Sequence, residues 1–336
     1  MHVVVVGAGC IGAWIGARLR AGGAQVTLVG RARLQSAVAA GGLEAETLTG
    51  DRVQWTLDQL PVSLDPGAVA GADAVIIAVK GGGTTATAES IREIIPAGVP
   101  VISLQNGLRN PDKLRSALPD NPVIAGMVSF NVVWDEGEDA GARFRQATSG
   151  PVVLARDAPP ELVAALGSGG VDVVAVDDMP GVQWAKLILN LNNAVNALSG
   201  LPLRDELANR GYRRVLAAAM REAWAALRAA GIEPIPVGRM RPALAPRILP
   251  LPDWLFRVLA APMIRIDPAA RSSMADDLAR NRPTEIGDIN GEIVSLGARV
   301  GVPTPVNAHL VALVRQAELA ADGSPALPPE ALLPPA

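Results

Sequence analysis

Short apolar runs alternate with helical patterns along the first half of the chain. The run VVVV at 3–6 is β-branched and uncharged, as is typical of a strand buried on both faces of a parallel sheet. Apolar residues then recur at Ile11, Ile15 and Leu19, which share one face of a helix, and QVTLV at 25–29 has the pattern of a second strand. This order of elements predicts a β-α-β unit at the start of the chain.

The same alternation continues beyond this unit. Strands are predicted within 72–80, 99–107 and 121–130, with a helical pattern between the first two. The segment GARFRQATSGPVVLA at 141–155 is predicted to form a hairpin, because two apolar-rich runs flank turn-forming residues. Residues 1–178 are therefore predicted to form an α/β domain with a largely parallel sheet.

The chain changes character after Pro180. Helical patterns at about 210–230, 269–281 and 284–300 replace the strand patterns, and residues 179–322 are predicted to form an all-helical domain. The last of these patterns has an apolar stripe formed by Ile286, Ile289, Ile293, Leu296 and Val300.

Two proline-rich segments stand apart from these helices. Residues 234–268 contain eight prolines. This segment could form a lid, an interface arm or an ordered excursion of the chain, and the ordered excursion is the favoured prediction. Residues 323–336, which include SPALPPEALLPPA, are predicted to be a disordered tail.

The segment KLILNLNNAVNALSG at 186–200 is unusual because it combines an apolar helical pattern with polar residues. Lys186, Asn190 and Asn193 stand at i, i+4 and i+7, so on one continuous helix they form a polar stripe. Burying an unpaired polar group costs on the order of a few kcal/mol, so such a stripe favours a ligand-facing surface. Lys186 is also one of three lysines among 30 cationic residues, and an ammonium group can release a proton that guanidinium retains.

A glycine-rich turn, GAGCIG at 7–12, follows the first strand and precedes the first helix. The spacing alone is a weak signal, but the strand, helix and second strand around it are typical of a dinucleotide-binding fold. The glycines permit a tight turn and a close approach of the pyrophosphate to the helix N-terminus. A plain β-α-β turn of small residues is the alternative. The residues predicted here to bind the cofactor are Gly7, Gly9, Cys10, Ile11 and Gly12.

The residues after the second strand indicate which dinucleotide binds. The sequence VGRAR at 29–33 has Arg31 where NAD enzymes usually have an acidic residue. Arginine can pair with a 2′-phosphate, so NADP(H) is predicted, with a solvated surface arginine as the alternative. Lys80 and Asn106 stand at the ends of two predicted strands, where ligands of open parallel sheets bind, and both are candidate cofactor-binding residues.

Composition excludes several classes of protein. The chain of 336 residues is 49% hydrophobic and has a formal net charge of −3, which argues against a nucleic-acid-binding surface. No apolar stretch reaches the roughly 18 residues that a membrane span needs, and glycines interrupt the uncharged N-terminal segment, so neither a membrane protein nor a signal peptide is predicted. The single cysteine, Cys10, fits a reducing compartment, and a cytoplasmic location is expected. His2 and His309 lack ligand spacing, so no metal is predicted.

Six motifs recur in an order known from one enzyme family. They are GAGCIG at 7–12 followed by Arg31, VK at 79–80, QNG at 105–107, WAKLILN at 184–190, SSM at 272–274 and PTEIGDINGEI at 283–293. On these motifs, and on the spacing from Ser273 to Glu285, the chain resembles the ketopantoate reductases (2-dehydropantoate 2-reductases) over nearly its whole length.

This resemblance implies a fold and a reaction. The fold is α/β, with an N-terminal Rossmann-type dinucleotide-binding domain followed by an all-helical C-terminal domain of the 6-phosphogluconate-dehydrogenase-like kind, and the family binds its substrate in the cleft between them. The implied reaction is the NADPH-dependent reduction of ketopantoate to (R)-pantoate, on the route to pantothenate and coenzyme A.

The resemblance also implies roles for individual residues. Lys186 would be the general acid, and Glu285 would complete the catalytic pair by accepting a distal hydroxyl of the substrate. The expected substrate-binding residues are Asn190, Asn193, Ser273 and Asn106, and Lys80 with Asn106 would bridge cofactor and substrate. As an alternative, Glu285 would only cap the helix that it begins.

Two positions depart from the family pattern. Ala194 stands where a second asparagine is usual, although Asn193 can substitute, or a two-residue shift can bring NALSG at 196–200 into register. Ala270 replaces another frequent asparagine. An NADPH-dependent reductase of a different branched 2-keto acid is therefore the first alternative, and a non-catalytic NADP(H) sensor is the second. The expected partner is a small-molecule 2-keto acid, with neither nucleic acid nor membrane, and a homodimer is one option for the oligomeric state.

Overall fold

The structure is a computed structural model that describes residues 1–135, 141–236, 242–259 and 270–335. The chain divides into two compact units, Met1–Met179 and Pro180–Ala336. The division falls one residue after the boundary expected from the loss of strand patterns.

The first unit contains strands and helices in alternation. Its strands within the described residues are β1 (His2–Val6), β2 (Gln25–Val29), β3 (Leu43–Glu46), β4 (Arg52–Trp55), β5 (Val62–Ser63), β6 (Ala74–Ile77), β7 (Val101–Ser103), β8 (Val123–Val128), β9 (Val132–Asp135), β10 (Ala142–Gln146), β11 (Val152–Ala155) and β12 (Val173–Val176). Its helices are α1 (Cys10–Ala21), α2 (Ala32–Gly41), α3 (Thr84–Ile91), α4 (Asn110–Ala117) and α5 (Pro160–Ser168), with 3₁₀ turns at Pro66–Gly71 and Gly81–Gly83.

The central sheet of this unit has eight strands in the order β12-β11-β8-β7-β6-β1-β2-β5. The six strands from β8 to β5 pair in parallel, β11 runs antiparallel to β8, and β12 pairs in parallel with β11. In β1, Val3 and Val5 join the core on the α1 side, while Val4 and Val6 join the core on the α3 side. Alternate residues of a strand face opposite sides, so a fully apolar run is what a doubly covered strand needs. The predicted α/β fold is thus confirmed.

The hairpin predicted within 141–155 is wrong. Both of its arms are strands, but β10 belongs to a second sheet with the order β4-β3-β10-β9, and β11 belongs to the central sheet. β10 pairs antiparallel with β9, and β11 pairs antiparallel with β8. Residues 147–151 therefore carry the chain from one sheet to the other beside Ser129, whose amide donates to the Pro151 carbonyl at 3.1 Å.

The second unit contains helices and no strand among its described residues. Its helices are α6 (Met179–Asn190), α7 (Asn192–Ser199), α8 (Leu203–Ala208), α9 (Arg210–Ala229), α10 (Ala245–Ile248), α11 (Asp253–Leu259), α12 (Ser273–Ala279), α13 (Asn290–Val300) and α14 (Pro305–Ala320), with 3₁₀ turns at Ile286–Asp288 and Pro329–Leu332. Among these described residues no helix is long and apolar enough to cross a membrane.

Two predicted helices of this unit are broken. The pattern at 186–200 divides at Leu191 into α6 and α7, so the polar stripe does not lie on one continuous helix. The pattern at 284–300 starts with a 3₁₀ turn and becomes α13 only after Ile289, whose backbone is non-helical with φ −113° and ψ −90°. The apolar stripe is nevertheless buried at Ile286, Ile289 and Ile293. The short break in the helix leaves these side chains on the face that packs against the core.

The disordered tail predicted for 323–336 is wrong for the described residues 323–335. The hydroxyl groups of Ser324 and Tyr212 donate to the carbonyl groups of Ala197 and Leu327, respectively, at 2.6 and 2.9 Å. Leu332 in the terminal 3₁₀ turn is fully buried. Proline composition suggested disorder, but the burial of Leu332 and the hydrogen bonds to Ser324 and Leu327 hold the segment in place.

The proline-rich segment 234–268 is partly described. It contains α10 and α11, which are fixed by buried Arg213: its guanidinium donates to the Leu249 and Leu251 carbonyls and to Asp253. This part is an ordered excursion as favoured, while 237–241 and 260–268 lie outside the described residues.

Candidate active site

The glycine-rich turn after β1 has the geometry of a phosphate-binding turn. Gly7 has φ +98°, and a Cβ there would lie 2.5 Å from the Val79 amide nitrogen; a Cβ at Gly12 would lie 2.3 Å from the Gly7 carbonyl oxygen. Gly9 faces open space, and α1 begins at Cys10 with neither a side-chain cap nor an acidic residue in its first turn. The N–H groups at the start of α1 can therefore donate to a phosphate, and these residues fit a dinucleotide.

The two arginines after β2 have different environments. The guanidinium of Arg33 lies 4.7 Å from the ring centroid of Trp134, so a cation–π contact engages it within the unit. Arg31 is exposed, its residue N-caps α2, and among the described residues no carboxylate pairs with it. Of the two, Arg31 is the cation that can turn toward a ligand at the end of β2.

Lys80 and Asn106 follow β6 and β7, and a buried polar network ties their two loops together. The Gln105 amide donates to the Val79 carbonyl at 2.9 Å and to the Thr84 hydroxyl at 2.7 Å. The Asn110 amide donates to the Asn106 carbonyl at 2.6 Å. Because these partners belong to both loops, the network fixes the backbone of Lys80 and Asn106 together.

The sequence interpretation missed this network. Thr84, Gln105 and Asn110 are almost fully buried, and the Thr84 hydroxyl donates to the Asn110 amide oxygen at 2.9 Å. The motif QNG directed attention to Asn106. Polar residues that follow the end of an apolar strand are the sequence signal that could have indicated the rest of the network.

Lys186 lies on α6 with its side chain half-buried. Burial lowers the pKa of its ammonium group to about 8, while the nearby Glu285 carboxylate opposes that shift. Glu285 precedes the 3₁₀ turn at Ile286–Asp288 but makes no side-chain capping hydrogen bond, so the capping alternative is wrong. The structure thus brings Lys186 and Glu285 within electrostatic reach, although 99 positions separate 186 from 285 in the sequence.

The remaining candidates lie on α6, α7 and α12. Asn190 is the last residue of α6, Asn193 lies in the first turn of α7, and both are half-buried. Ser273 is the exposed first residue of α12. The Ser272 hydroxyl donates to the Asn193 carbonyl at 3.2 Å, which brings Asn193 and Ser273 close together.

Burial shows which α7 side chain can take the place of the asparagine that is usual at position 194. Ala194 is fully buried, so a side chain at that position points into the protein core. Asn196 is also fully buried, and protein groups occupy both ends of its amide. Of Asn193 and Asn196, half-buried Asn193 is therefore the one with solvent access to a ligand.

A buried glutamate, Glu206 on α8, was not expected from the sequence. It is fully buried against Asn192 and Asn196, and burial raises its pKa to about 8. The segment around it, LRDELA, has three charged residues among six and so carries no local signal of a buried carboxyl group. Within the described residues no group of three or more His, Cys, Asp or Glu side chains is placed to hold a metal ion.

Comparison with known proteins agrees with this arrangement. The family model described as ketopantoate reductase PanE/ApbA matches residues 3–158, and its C-terminal model matches residues 178–318. A 2-dehydropantoate 2-reductase of Halobacterium salinarum is 27% identical over 329 residues, which cover 95% of this chain and 99% of that protein.

Solved structures show the same similarity. A PanE/ApbA family ketopantoate reductase from Ralstonia eutropha JMP134 has a TM-score of 0.79 at 33% identity, covering 96% of this chain and 99% of that one. The ternary structure of D-mandelate dehydrogenase with NADH and anilino(oxo)acetate has a TM-score of 0.74 and covers 96% and 100%; at 22% identity it shows the fold alone.

These features define a nicotinamide-dependent oxidoreductase that acts on a CH–OH or C=O group. The chain belongs to the ketopantoate reductase PanE/ApbA family. Membership of an enzyme family leaves the sensor alternative without support.

Proposed function

We propose that the protein reduces 2-dehydropantoate to (R)-pantoate with NADPH, as a step toward pantothenate and coenzyme A. The observation that supports this most directly is the Glu285 carboxylate near half-buried Lys186, whose pKa is lowered by burial to about 8. A general acid is most effective when its pKa lies near the working pH.

The chemistry requires a proton as well as a hydride. NADPH held by the turn at 7–12 would supply the hydride for C2 of the keto acid, and the ketone oxygen would then gain negative charge in the transition state. The Lys186 ammonium group stabilises that charge and donates the proton. Arginine would supply the charge but would not release the proton.

The substrate offers three groups for recognition. Its carboxylate suits hydroxyl and amide donors, which Ser273, Asn190 and Asn193 provide. Its distal hydroxyl suits an acceptor, and Glu285 provides one. Asn106 and Lys80 would contact both cofactor and substrate.

For the cofactor we propose NADP(H), held by the turn at 7–12 and by Arg31. An Arg31→Ala variant should weaken NADPH binding by about 10- to 100-fold, because it removes a charge-assisted hydrogen bond to the 2′-phosphate, and should leave NADH binding nearly unchanged. Arg33→Ala is the matched control, since the structure engages Arg33 with Trp134. Titration of both cofactors measures this, and equal losses for NADPH and NADH would remove the assignment of Arg31.

A second candidate is the reduction of another branched 2-keto acid. It is favoured by Ala270, which replaces an asparagine expected from the family pattern. A homodimer and a cytoplasmic location stay predictions.

The experiment that separates these candidates is steady-state NADPH oxidation with ketopantoate, ketoisovalerate and pyruvate. A clear preference for ketopantoate in kcat/KM supports the proposal. A flat profile, or a preference for another keto acid with sound NADPH binding, supports the second candidate.

A further inference from the structure

A buried network in the second unit connects Glu206 with the start of α12. The amide nitrogen of Asn196 donates to Glu206 Oε2 at 2.9 Å and to the Leu201 carbonyl at 3.0 Å. The amide oxygen of Asn196 accepts the backbone N–H of Ser272 at 2.8 Å. One side chain on α7 therefore joins α8 to α12.

This network fixes the N-terminus of α12. The Ser272 hydroxyl caps the helix by accepting the N–H of Ala275 at 3.2 Å, and it also donates to the Asn193 carbonyl. Together with the bond from Asn196, these contacts hold residue 272 against α7. The next residue is Ser273, which the proposed function assigns to the substrate.

Glu206 determines which way the Asn196 amide points. With Glu206 Oε2 and the Leu201 carbonyl as acceptors on one side, the nitrogen must face them, so the oxygen faces Ser272. The reverse orientation would place the amide nitrogen against the Ser272 N–H, and it would leave the Leu201 carbonyl and the Ser272 N–H without partners. Removing the acceptor at 206 removes part of this preference.

The cost of Glu206 argues against a role in packing alone. The side chain is fully buried, and among the described residues its polar neighbours are the amides of Asn196 and Asn192 and no cation. Its Oε1 and Asn192 Oδ1 are buried without a hydrogen-bond partner. A protonated Glu206 carboxyl group would supply a hydrogen-bond donor for these two acceptors. An apolar residue at position 206 would avoid the cost of burying polar atoms altogether.

We propose that Glu206 is a positioning residue of the substrate site, acting through Asn196 to fix the start of α12 and so to place Ser273 beside Asn193. This inference rests on the proposed function for the identity of the substrate. The link from Glu206 to Ser272 does not depend on it.

Hydrogen exchange tests the link without any substrate. In Glu206→Ala the Ser272 backbone N–H should exchange about tenfold faster than in the wild type, because its acceptor, the Asn196 amide oxygen, is held in place by one bond fewer. Glu222→Ala is the matched control: this glutamate of the same unit accepts the N–H groups of Val306 and Asn307 at the start of α14. Unchanged exchange at Ser272 in Glu206→Ala, or an equal increase in both variants, overturns the proposal.

Kinetics test the consequence for the substrate. Glu206→Ala should raise KM for the keto acid about tenfold with kcat nearly unchanged and NADPH affinity intact, since a contact made equally in ground and transition state is weakened. Glu206→Gln, neutral and still an acceptor, should restore KM. In Ser273→Ala the further change Glu206→Ala should add little, because both act on one contact.

The outcomes separate the two proposals. A wild type that reduces no 2-keto acid, with faster Ser272 exchange in Glu206→Ala, refutes the proposed function and leaves the positioning link standing. An active wild type whose KM is unaffected by Glu206→Ala refutes the positioning role. If Glu206→Ala does not fold, Glu206→Asp retains the acid and shortens its reach; a raised KM supports the proposal and a wild-type KM overturns it.

Discussion

Lys186 and Glu206 lie in the same helical unit, and burial brings the pKa of each to about 8 from opposite directions. Removal from water disfavours whichever form is charged, so it lowers the pKa of the ammonium group and raises that of the carboxyl group. At neutral pH both groups are therefore mainly protonated, Lys186 as a cation and Glu206 as a neutral acid.

The two regions differ in what surrounds the group. A carboxylate, Glu285, lies near Lys186 and favours its charged form. Glu206 has the amides of Asn192 and Asn196 and no charged partner among the described residues. The comparison shows that burial alone does not identify a proton donor: a counter-charge and residual exposure suit Lys186 to exchange a proton, while full burial suits Glu206 to keep one.

The largest expected effect is the loss of the proton donor. Lys186→Ala should lower kcat for keto acid reduction by about 10²- to 10⁴-fold while NADPH affinity is kept. Lys186→Arg should lose nearly as much, because guanidinium retains the charge but not a transferable proton. Stopped-flow reduction and cofactor titration measure the two quantities. Near wild-type turnover in either variant would contradict the assignment.

The second prediction concerns the pH dependence of stability. The Glu206 carboxyl has a folded-state pKa of about 8 against an ordinary value of 4.5, so between these values the unfolded chain binds fewer protons than the folded one. Relative to Glu206→Gln, the wild-type free energy of unfolding should fall as pH rises through this window, by at most about 5 kcal/mol, and level off above it. Denaturant titrations from pH 5 to about 8 check this. Parallel curves for the two proteins would mean that Glu206 is ionised in the fold.

The third prediction changes the counter-charge. Glu285→Gln removes the carboxylate that raises the Lys186 pKa, so the pH above which reduction slows should shift downward by about one unit or less. Asp276→Asn, an exposed acid on α12, is the control and should not shift it. The pH profile of kcat/KM at saturating NADPH measures both. An upward shift in Glu285→Gln would contradict the electrostatic role of Glu285.

The smallest effect is expected at Asn192. Its amide reaches Glu206 at 3.4 Å, a long hydrogen bond, so Asn192→Ala should change the free energy of unfolding by less than about 1 kcal/mol. Asn196→Ala, which removes three bonds, should cost clearly more. Chemical denaturation of the two variants ranks them. Equal losses would contradict the central position of Asn196 in the network.

The sequence predicts those features whose cause is local. The β-branched run at 3–6 and the glycines at 7 and 12 fix a strand and a turn through sterics within a few residues, and both appear where expected. Lys186 stood out because only three of the 30 cationic residues are lysines, and its partner Glu285 came from the resemblance to a family. The structure places the two within electrostatic reach.

The features that the sequence did not predict depend on contacts distant along the chain. The apolar period runs through Leu191 without interruption, so the division between α6 and α7 has no local signal. Glu206 lies in a short polar segment that is typical of a surface, and only its contact with α7 buries it. The pairing of β11 with β8 rather than with β10 likewise depends on a strand that is distant along the chain.

The most direct test compares the pH profile of keto acid reduction in the wild type and in Glu206→Gln. Since Lys186 and Glu206 both have a pKa of about 8, only the variant shows which of them controls the rate. We predict that kcat/KM falls above pH 8 in both proteins, because deprotonated Lys186 cannot donate. A decline that disappears in Glu206→Gln would assign the proton to Glu206 and contradict the role of Lys186 as the general acid.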